Sequence, residues 1–367
     1  MHLAIDAVGM KQGGVKTILL DVLREVEACE DIDRATVFTS PGESRSFEFP
    51  PSSRIRESPQ PRAEKPLFRF WWYERELPKR VREEGADVLL CLHDAGLSPA
   101  RVPHATFVQR PILYSDEARE LVPRAARARM AVIRAAIGRS CRSAGRVFVH
   151  TPTERQRISS RFSIPEDRIT VTLPPPRPLP DSPAPWPALE PMLGTPADRR
   201  VLFVGQLFAH KNLAVAVAAM ARVRQRLPDA TLFVSGPLDE QPPGSEGVVY
   251  LGAVPDMSLL EAYRRATVLV LPSLHETIGL PMLEAMSAGT PVLAADRPYA
   301  HDVCGAAAEF FDPLSTDDCA AAILRVLEDA DLRKRLVREG YAVTERLQEA
   351  HPYRTMLSQT LALAAPV

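Results

Sequence analysis

Apolar residues arrive along this chain in short, nearly unbroken runs. In the first half they fall at 3–5, 36–38, 88–92, 105–108, 147–149 and 169–173. In the second half they fall at 201–204, 232–234, 248–251 and 268–271. Runs this short, with both odd and even positions apolar, predict strands buried on both faces, the habit of a parallel sheet. Segments of helical period lie between them, such as 16–26. Strand alternating with helix predicts an α/β architecture with parallel sheets.

The alternation is interrupted once. Residues 174–196 carry ten prolines, from Pro174 to Pro196. Proline lacks the amide proton and fixes φ, so such a stretch predicts neither a helix interior nor a central strand. It reads as a semi-rigid linker at 176–198 between a first domain at 1–175 and a second at 199–350. A last helix is expected at 351–366. Residues 40–66, rich in Pro, Ser and charge, read as a long loop, either mobile or a lid. A length of 367 residues gives each domain enough chain for its own core.

Composition changes this picture little. Apolar residues make up 46% and charged residues 25%, as in ordinary globular proteins. No apolar run approaches the ~18 residues that span a bilayer. The first residues, with Asp6 inside an apolar run and no basic start, read as a strand rather than a leader. Five scattered cysteines without metal spacing fit free thiols in a reducing cytoplasm. Net charge is −1, which gives no reason to expect nucleic acid, but the halves differ. Residues 1–175 hold 28 Lys+Arg against 23 Asp+Glu, and the rest hold 17 against 23. The basic excess gathers at 119–146, where eight arginines face one acid, Glu120. That segment reads either as a solvated helix face or as a peripheral contact with an anionic bilayer. Four consecutive aromatics, Phe70 to Tyr73 between Arg69 and Glu74, read as a half-buried helix or as an acceptor or membrane-interface platform.

The candidate chemistry sits in turns that follow strands. After the run 268–271 comes Ser-Leu-His-Glu-Thr-Ile-Gly-Leu-Pro, with Glu276 in the loop, Gly279 and Leu280 at the helix start, Pro281 in its first turn and Glu284 inside it. A strand-to-helix turn presents amide protons and a positive dipole end, a site for an anion such as a diphosphate. An ionised carboxylate beside it accepts hydrogen bonds from sugar or ribose hydroxyls. Surface carboxylates on a generic turn would show the same pattern. Gly13-Gly14 precede the first helix without the GxGxxG spacing of a dinucleotide site. Lys211 follows the strand at 201–204 and can neutralise a phosphate as a point charge. His93-Asp94 ends the strand at 88–92, at the sheet edge where ligands approach.

Glu276-x7-Glu284 followed by Ala-Met-Ser-Ala-Gly-Thr-Pro-Val, continuing through Asp296 to Phe311-Asp312-Pro313, closely resembles the signature of the retaining, nucleotide-sugar-dependent glycosyltransferases of family 4. The resemblance implies the GT-B fold, two Rossmann-like domains with parallel sheets facing across a cleft, the last helix returning to the first domain. It implies transfer of a sugar from a nucleoside-diphosphate sugar to a hydroxyl acceptor, which could be a glycan, a lipid-linked intermediate or a small molecule. The donor is a substrate, so no cofactor is implied, and no metal is needed for the leaving group to depart. By the same resemblance Gly13 and Gly14 face the donor phosphates. Lys211 belongs to the diphosphate clamp, with the amides at Gly279 and Leu280. Glu276 contacts the sugar, and Glu284 the ribose. Val254 lies in a loop against the base, Gly236 sits with the donor-binding turns, and His93 reaches the donor sugar.

Four positions depart from that pattern. Gln206 stands where most relatives carry the clamp arginine, with Arg110 as one candidate substitute. Gln109 stands where many carry a histidine, although it could still hydrogen-bond a hydroxyl. Thr277 and Ile278 replace a common Gly and Phe. These departures keep two other readings open: an epimerase or hydrolase of nucleotide sugars on the same fold, and a non-catalytic homologue that acts as a binding partner. The sugar, the base, the acceptor and the oligomeric state are not legible.

Overall fold

The computed structural model describes the chain except residues 12–13, 43–46, 65–67, 69–70, 95–101, 110–126, 178–185, 237–245 and 365–367. It forms two compact units, Met1–Pro174 with His351–Val367, and Pro175–Ala350.

The first unit is built on a seven-stranded parallel sheet in the order β3-β2-β1-β4-β5-β6-β7. Its strands are β1 (His2–Asp6), β2 (Arg34–Thr39), β3 (Ile55–Pro59), β4 (Val88–Cys91), β5 (His104–Phe107), β6 (Arg146–Val149) and β7 (Ile169–Val171). The second holds a six-stranded parallel sheet in the order β10-β9-β8-β11-β12-β13. Its strands are β8 (Arg200–Val204), β9 (Thr231–Ser235), β10 (Val248–Gly252), β11 (Val268–Leu271), β12 (Val292–Ala295) and β13 (Ala308–Phe311). The central strands are apolar on both faces because helices cover both: every residue of β4, β11 and β12 is buried. In each sheet the strand order reverses once, between β1 and β4 and between β8 and β11. Ligands of open α/β sheets bind beyond the carboxyl ends of strands at such a reversal.

The helix Pro352–Leu361 packs in the first unit, where Tyr353, Met356, Leu357 and Leu361 join Leu3, Ile5, Leu19 and Val22 in one core. The segment expected as one or two helices after β13 forms two, Thr316–Glu328 and Ala330–Glu349. Each has a capping side chain, Ser315 for the first and Asp329 for the second.

Three expectations change. The long loop at 40–66 contains β3 and a short 3-10 turn, Pro61–Glu64. β3 is an edge strand with one buried apolar residue, Ile55, so its hydrophobic signal is minimal. The proline-rich linker contains a 3-10 turn, Pro187–Leu189, and one helical turn, Glu190–Leu193, each with its proline in the first positions, where the missing amide proton costs nothing. The aromatic run divides. Trp72 is a core residue, edge-on to Phe38 at 5.7 Å, and its indole donates to Asp6 Oδ1 at 3.2 Å. Trp71 stays 38% exposed, and Arg69 and Phe70 lie outside the described residues. Of the basic segment, the described part forms the helix Arg127–Ser143, buried through Ile137, Ser140 and Cys141; residues 119–126 lie outside the described residues. No described helix is long and apolar enough to cross a membrane. All five cysteines are free.

Candidate functional site

In the second unit the candidate residues gather at the carboxyl ends of β8 and β11, where the strand order reverses. β8 leads through a turn and a 3-10 segment, Ala209–Lys211, into the helix Leu213–Arg226. Asn212 joins them in the left-handed conformation, φ 53°, which asparagine tolerates better than most residues. Its amide donates to the carbonyls of Pro313 at 2.7 Å and Pro272 at 3.3 Å, so one side chain ties the turn after β8 to the ends of β11 and β13. The Leu274 amide donates to the His210 carbonyl at 2.8 Å.

These ties bring Lys211 to Glu276, 65 positions later in the chain. The ammonium pairs with Glu276 Oε1, and the two side chains are 14% and 11% exposed. Beside them the helix Leu280–Ser287 begins at Gly279, φ 76°, with proline in its first turn, no acid there and no capping side chain. Its positive end is open to an anion. A side chain at residue 279 would be strained by this φ and would approach Met282 Cε to 2.7 Å. His210 stacks on the exposed Phe208 ring at 5.6 Å, and burial lowers its pKa, with the Lys211 charge adding to the effect and Glu276 opposing it.

Glu284 lies farther along the same helix and is 3% exposed. Arg177 donates to its Oε1 from Nε at 3.1 Å and from Nη2 at 2.5 Å. Tyr263 donates to Oε2 at 2.8 Å. Burial first, and the Glu284 charge second, hold the Tyr263 phenol protonated far above its usual range. Sequence reasoning found Glu284 and missed both partners. Arg177 lies 107 positions away inside the proline-rich segment, and Tyr263 reads as an ordinary core aromatic.

Gln206 is exposed in the turn after β8, and Val254 is half-buried in the turn after β10. Gly236 has a packing reason as well as a position. It follows β9, its amide donates to the Gly252 carbonyl at 2.9 Å, and a Cβ built on it would stand 2.1 Å from the Gly205 carbonyl oxygen. Gly236→Ala is therefore expected to push the β8 and β9 ends apart, at a cost of about 2–3 kcal/mol. Urea unfolding followed by circular dichroism would show this; an unchanged midpoint would mean the turn yields freely.

In the first unit, Gly14 opens the helix Gly14–Ala28 after β1, while Gly13 and Arg110 lie outside the described residues. His93 and Asp94 follow β4 and are buried. Asp94, at φ 65°, accepts the Gln109 amide on Oδ1 at 2.7 Å. The Gln109 side chain donates to the Leu92 carbonyl. That donor ties β4 to β5, so Gln109 brackets the two strand ends. His150, at the end of β6, is buried against Phe107 at 4.5 Å with Nδ1 3.2 Å from the Thr172 carbonyl, and burial lowers its pKa to about 4. Thr151 caps the helix Pro152–Phe162 by accepting the Glu154 amide. Among the described residues no group of three or more His, Cys, Asp or Glu is placed to hold a metal.

Comparison with known proteins places both halves. Residues 194–343 match the family described as glycosyl transferases group 1, and residues 12–175 match glycosyltransferase family 4. The chain is 41% identical over 93 residues to the O-antigen chain mannosyltransferase B of Escherichia coli, covering 25% of this chain and 24% of that protein. It is 32% identical over 214 residues to the D-inositol 3-phosphate glycosyltransferase of Thermobispora bispora, covering 51% of this chain and 49% of that one. These matches thus span half the length of the curated relatives or less. The fold is similar to that of a sucrose-phosphate synthase from Thermosynechococcus elongatus, TM-score 0.75 over 100% of both chains at 18% identity. With two all-parallel Rossmann-like units and a family match in each, the chain belongs to the family 4 glycosyltransferases of the GT-B fold.

Proposed function

We propose that the chain transfers a sugar from a nucleoside-diphosphate sugar to a hydroxyl acceptor with retention of anomeric configuration and without a metal ion. The observation that carries this is the Lys211–Glu276 pair beside the open N-terminus of the helix Leu280–Ser287, at the point where the sheet order reverses. A diphosphate gains negative charge as it leaves. Lys211 and the amide of Leu280 supply fixed positive charge and a dipole where that charge develops. Glu276 then accepts hydrogen bonds from the donor sugar, Glu284 from the ribose, and Val254 and Gly236 line the base side.

In the transfer, the bond between the anomeric carbon and the diphosphate oxygen breaks, and the acceptor oxygen bonds to the same face of that carbon. The acceptor proton passes to the departing phosphate oxygen. Glu276 and Glu284 act as binders in this scheme, so the carboxylate separations that classify glycosidases do not apply. The acceptor is a glycan, a lipid-linked intermediate or a small metabolite, reached in the cytoplasm or at the inner face of a membrane through the helix Arg127–Ser143.

Calorimetric titration with UDP, GDP, ADP and dTDP tests the donor site. One nucleotide is expected to bind, and its sugar conjugate to give a product of unchanged anomeric configuration only when acceptor is present. Rapid consumption without acceptor would replace transfer by hydrolysis or epimerisation. Binding of none of the four would remove the donor site.

A further inference from the structure

Glu284, the carboxylate assigned above to the ribose, already has both oxygens engaged. A carboxylate offers about four acceptor positions on its two oxygens. Arg177 takes two on Oε1, and Tyr263 takes one on Oε2. The Glu284 side chain is only 4% exposed, so no hydroxyl pair reaches it in this state.

The two partners differ in how firmly they are held. Tyr263 is wholly buried, and its carbonyl accepts the Thr290 hydroxyl at 2.8 Å, so it is a fixed donor that orients the carboxylate. Arg177 is 28% exposed and comes from the proline-rich segment rather than from a helix or strand. Pro175 and Pro176 precede it and stiffen the backbone leading to it. Exchange at this point is therefore a swing of one long side chain, not a rearrangement of the chain.

Resting on that reading of Glu284, we propose that Arg177 holds the place of the ribose hydroxyls and is the group a nucleotide must displace. A vicinal diol supplies two hydrogen bonds to Oε1 in exchange for the two that Arg177 withdraws. Tyr263 keeps its bond throughout. A ligand with the diphosphate but without the diol has nothing to exchange and leaves Arg177 seated. Arg177 is in this sense a specificity residue: it lowers affinity for every ribonucleotide and leaves diphosphate binding at Lys211 untouched.

The test is calorimetric titration of wild type and Arg177→Met. The probes are UDP, GDP and ADP, their 2′,3′-dideoxy forms and inorganic pyrophosphate. The ribonucleotide that binds wild type is expected to bind the variant about tenfold tighter, equivalent to about 1.4 kcal/mol of removed competition. Dideoxynucleotide and pyrophosphate affinities are expected to stay within about twofold of wild type, well under that 1.4 kcal/mol. Arg177→Gln, which keeps a neutral donor, is expected to give a smaller gain and serves if the Met variant does not fold. Unchanged ribonucleotide affinity overturns the proposal and leaves the donor site standing. Weaker binding of all three ligand types also overturns it, because Arg177 would then be a phosphate contact. Binding of no nucleotide by either protein overturns the donor site and this inference together.

Discussion

Lys211→Ala is expected to lower the rate of sugar transfer by about 10²–10³-fold, the usual loss when one pre-placed stabiliser of a developing oxyanion is removed. The same change leaves Glu276, 11% exposed, without its cation. Breaking one side of a largely buried pair costs about 3–5 kcal/mol, so a loss of activity alone would confound chemistry with folding. The double variant Lys211→Met with Glu276→Gln separates them. It removes both charges, so much of the stability is expected to return while transfer stays absent. Thermal unfolding and turnover measured on both proteins decide the matter. Full activity in the stably folded double variant would mean that neither residue serves the donor.

Acid is expected to unfold the first unit through two histidines it keeps neutral. His104 on β5 and His150 at the end of β6 are both buried, and burial lowers each pKa from 6.5 to about 4. The unfolded chain then binds protons at a higher pH than the folded one. The stabilising contribution is complete above about pH 6.5 and disappears as pH falls toward 4. Two to three pH units correspond to about 3 kcal/mol per histidine, a large share of the ~5–15 kcal/mol of an ordinary domain. Urea unfolding at several pH values between 5 and 6.5, above most carboxylate titration, isolates this term. His104→Asn and His150→Asn are each expected to remove about half of the slope. A slope that neither variant changes would assign the acid sensitivity elsewhere.

The sheets were largely legible in the sequence because their strands are covered on both faces, as at 201–204 and 268–271. β3, β12 and β13 were not read as strands: β3 is an edge strand with a single buried side chain, and β12 and β13 lie in the stretch that was read for its family signature instead. The turn carrying Glu276 and the cation at Lys211 were recognisable through their resemblance to the family signature. Their pairing was not, since it depends on β8 and β11 being neighbours, a fact of topology. Gln109 shows the same dependence: the carbonyl of Leu92 lies within its reach only once β4 and β5 are side by side. Arg177 gave no local sign at all, since its partner is defined only by where the segment after β7 runs.

The Asn212 amide, joined to the carbonyls of Pro272 and Pro313, has a consequence for how this protein can change. Three loops of the second unit are fastened to one another by one side chain bonded to two backbone carbonyls. The spacing of those loops is therefore set in part by a residue outside the candidate donor contacts. Thr277 and Ile278, already different from the common Gly and Phe, sit within that fastened frame. Donor preference can drift at these two positions by ordinary substitution while the phosphate end keeps its shape. A change at residue 212, by contrast, would disturb every loop at once.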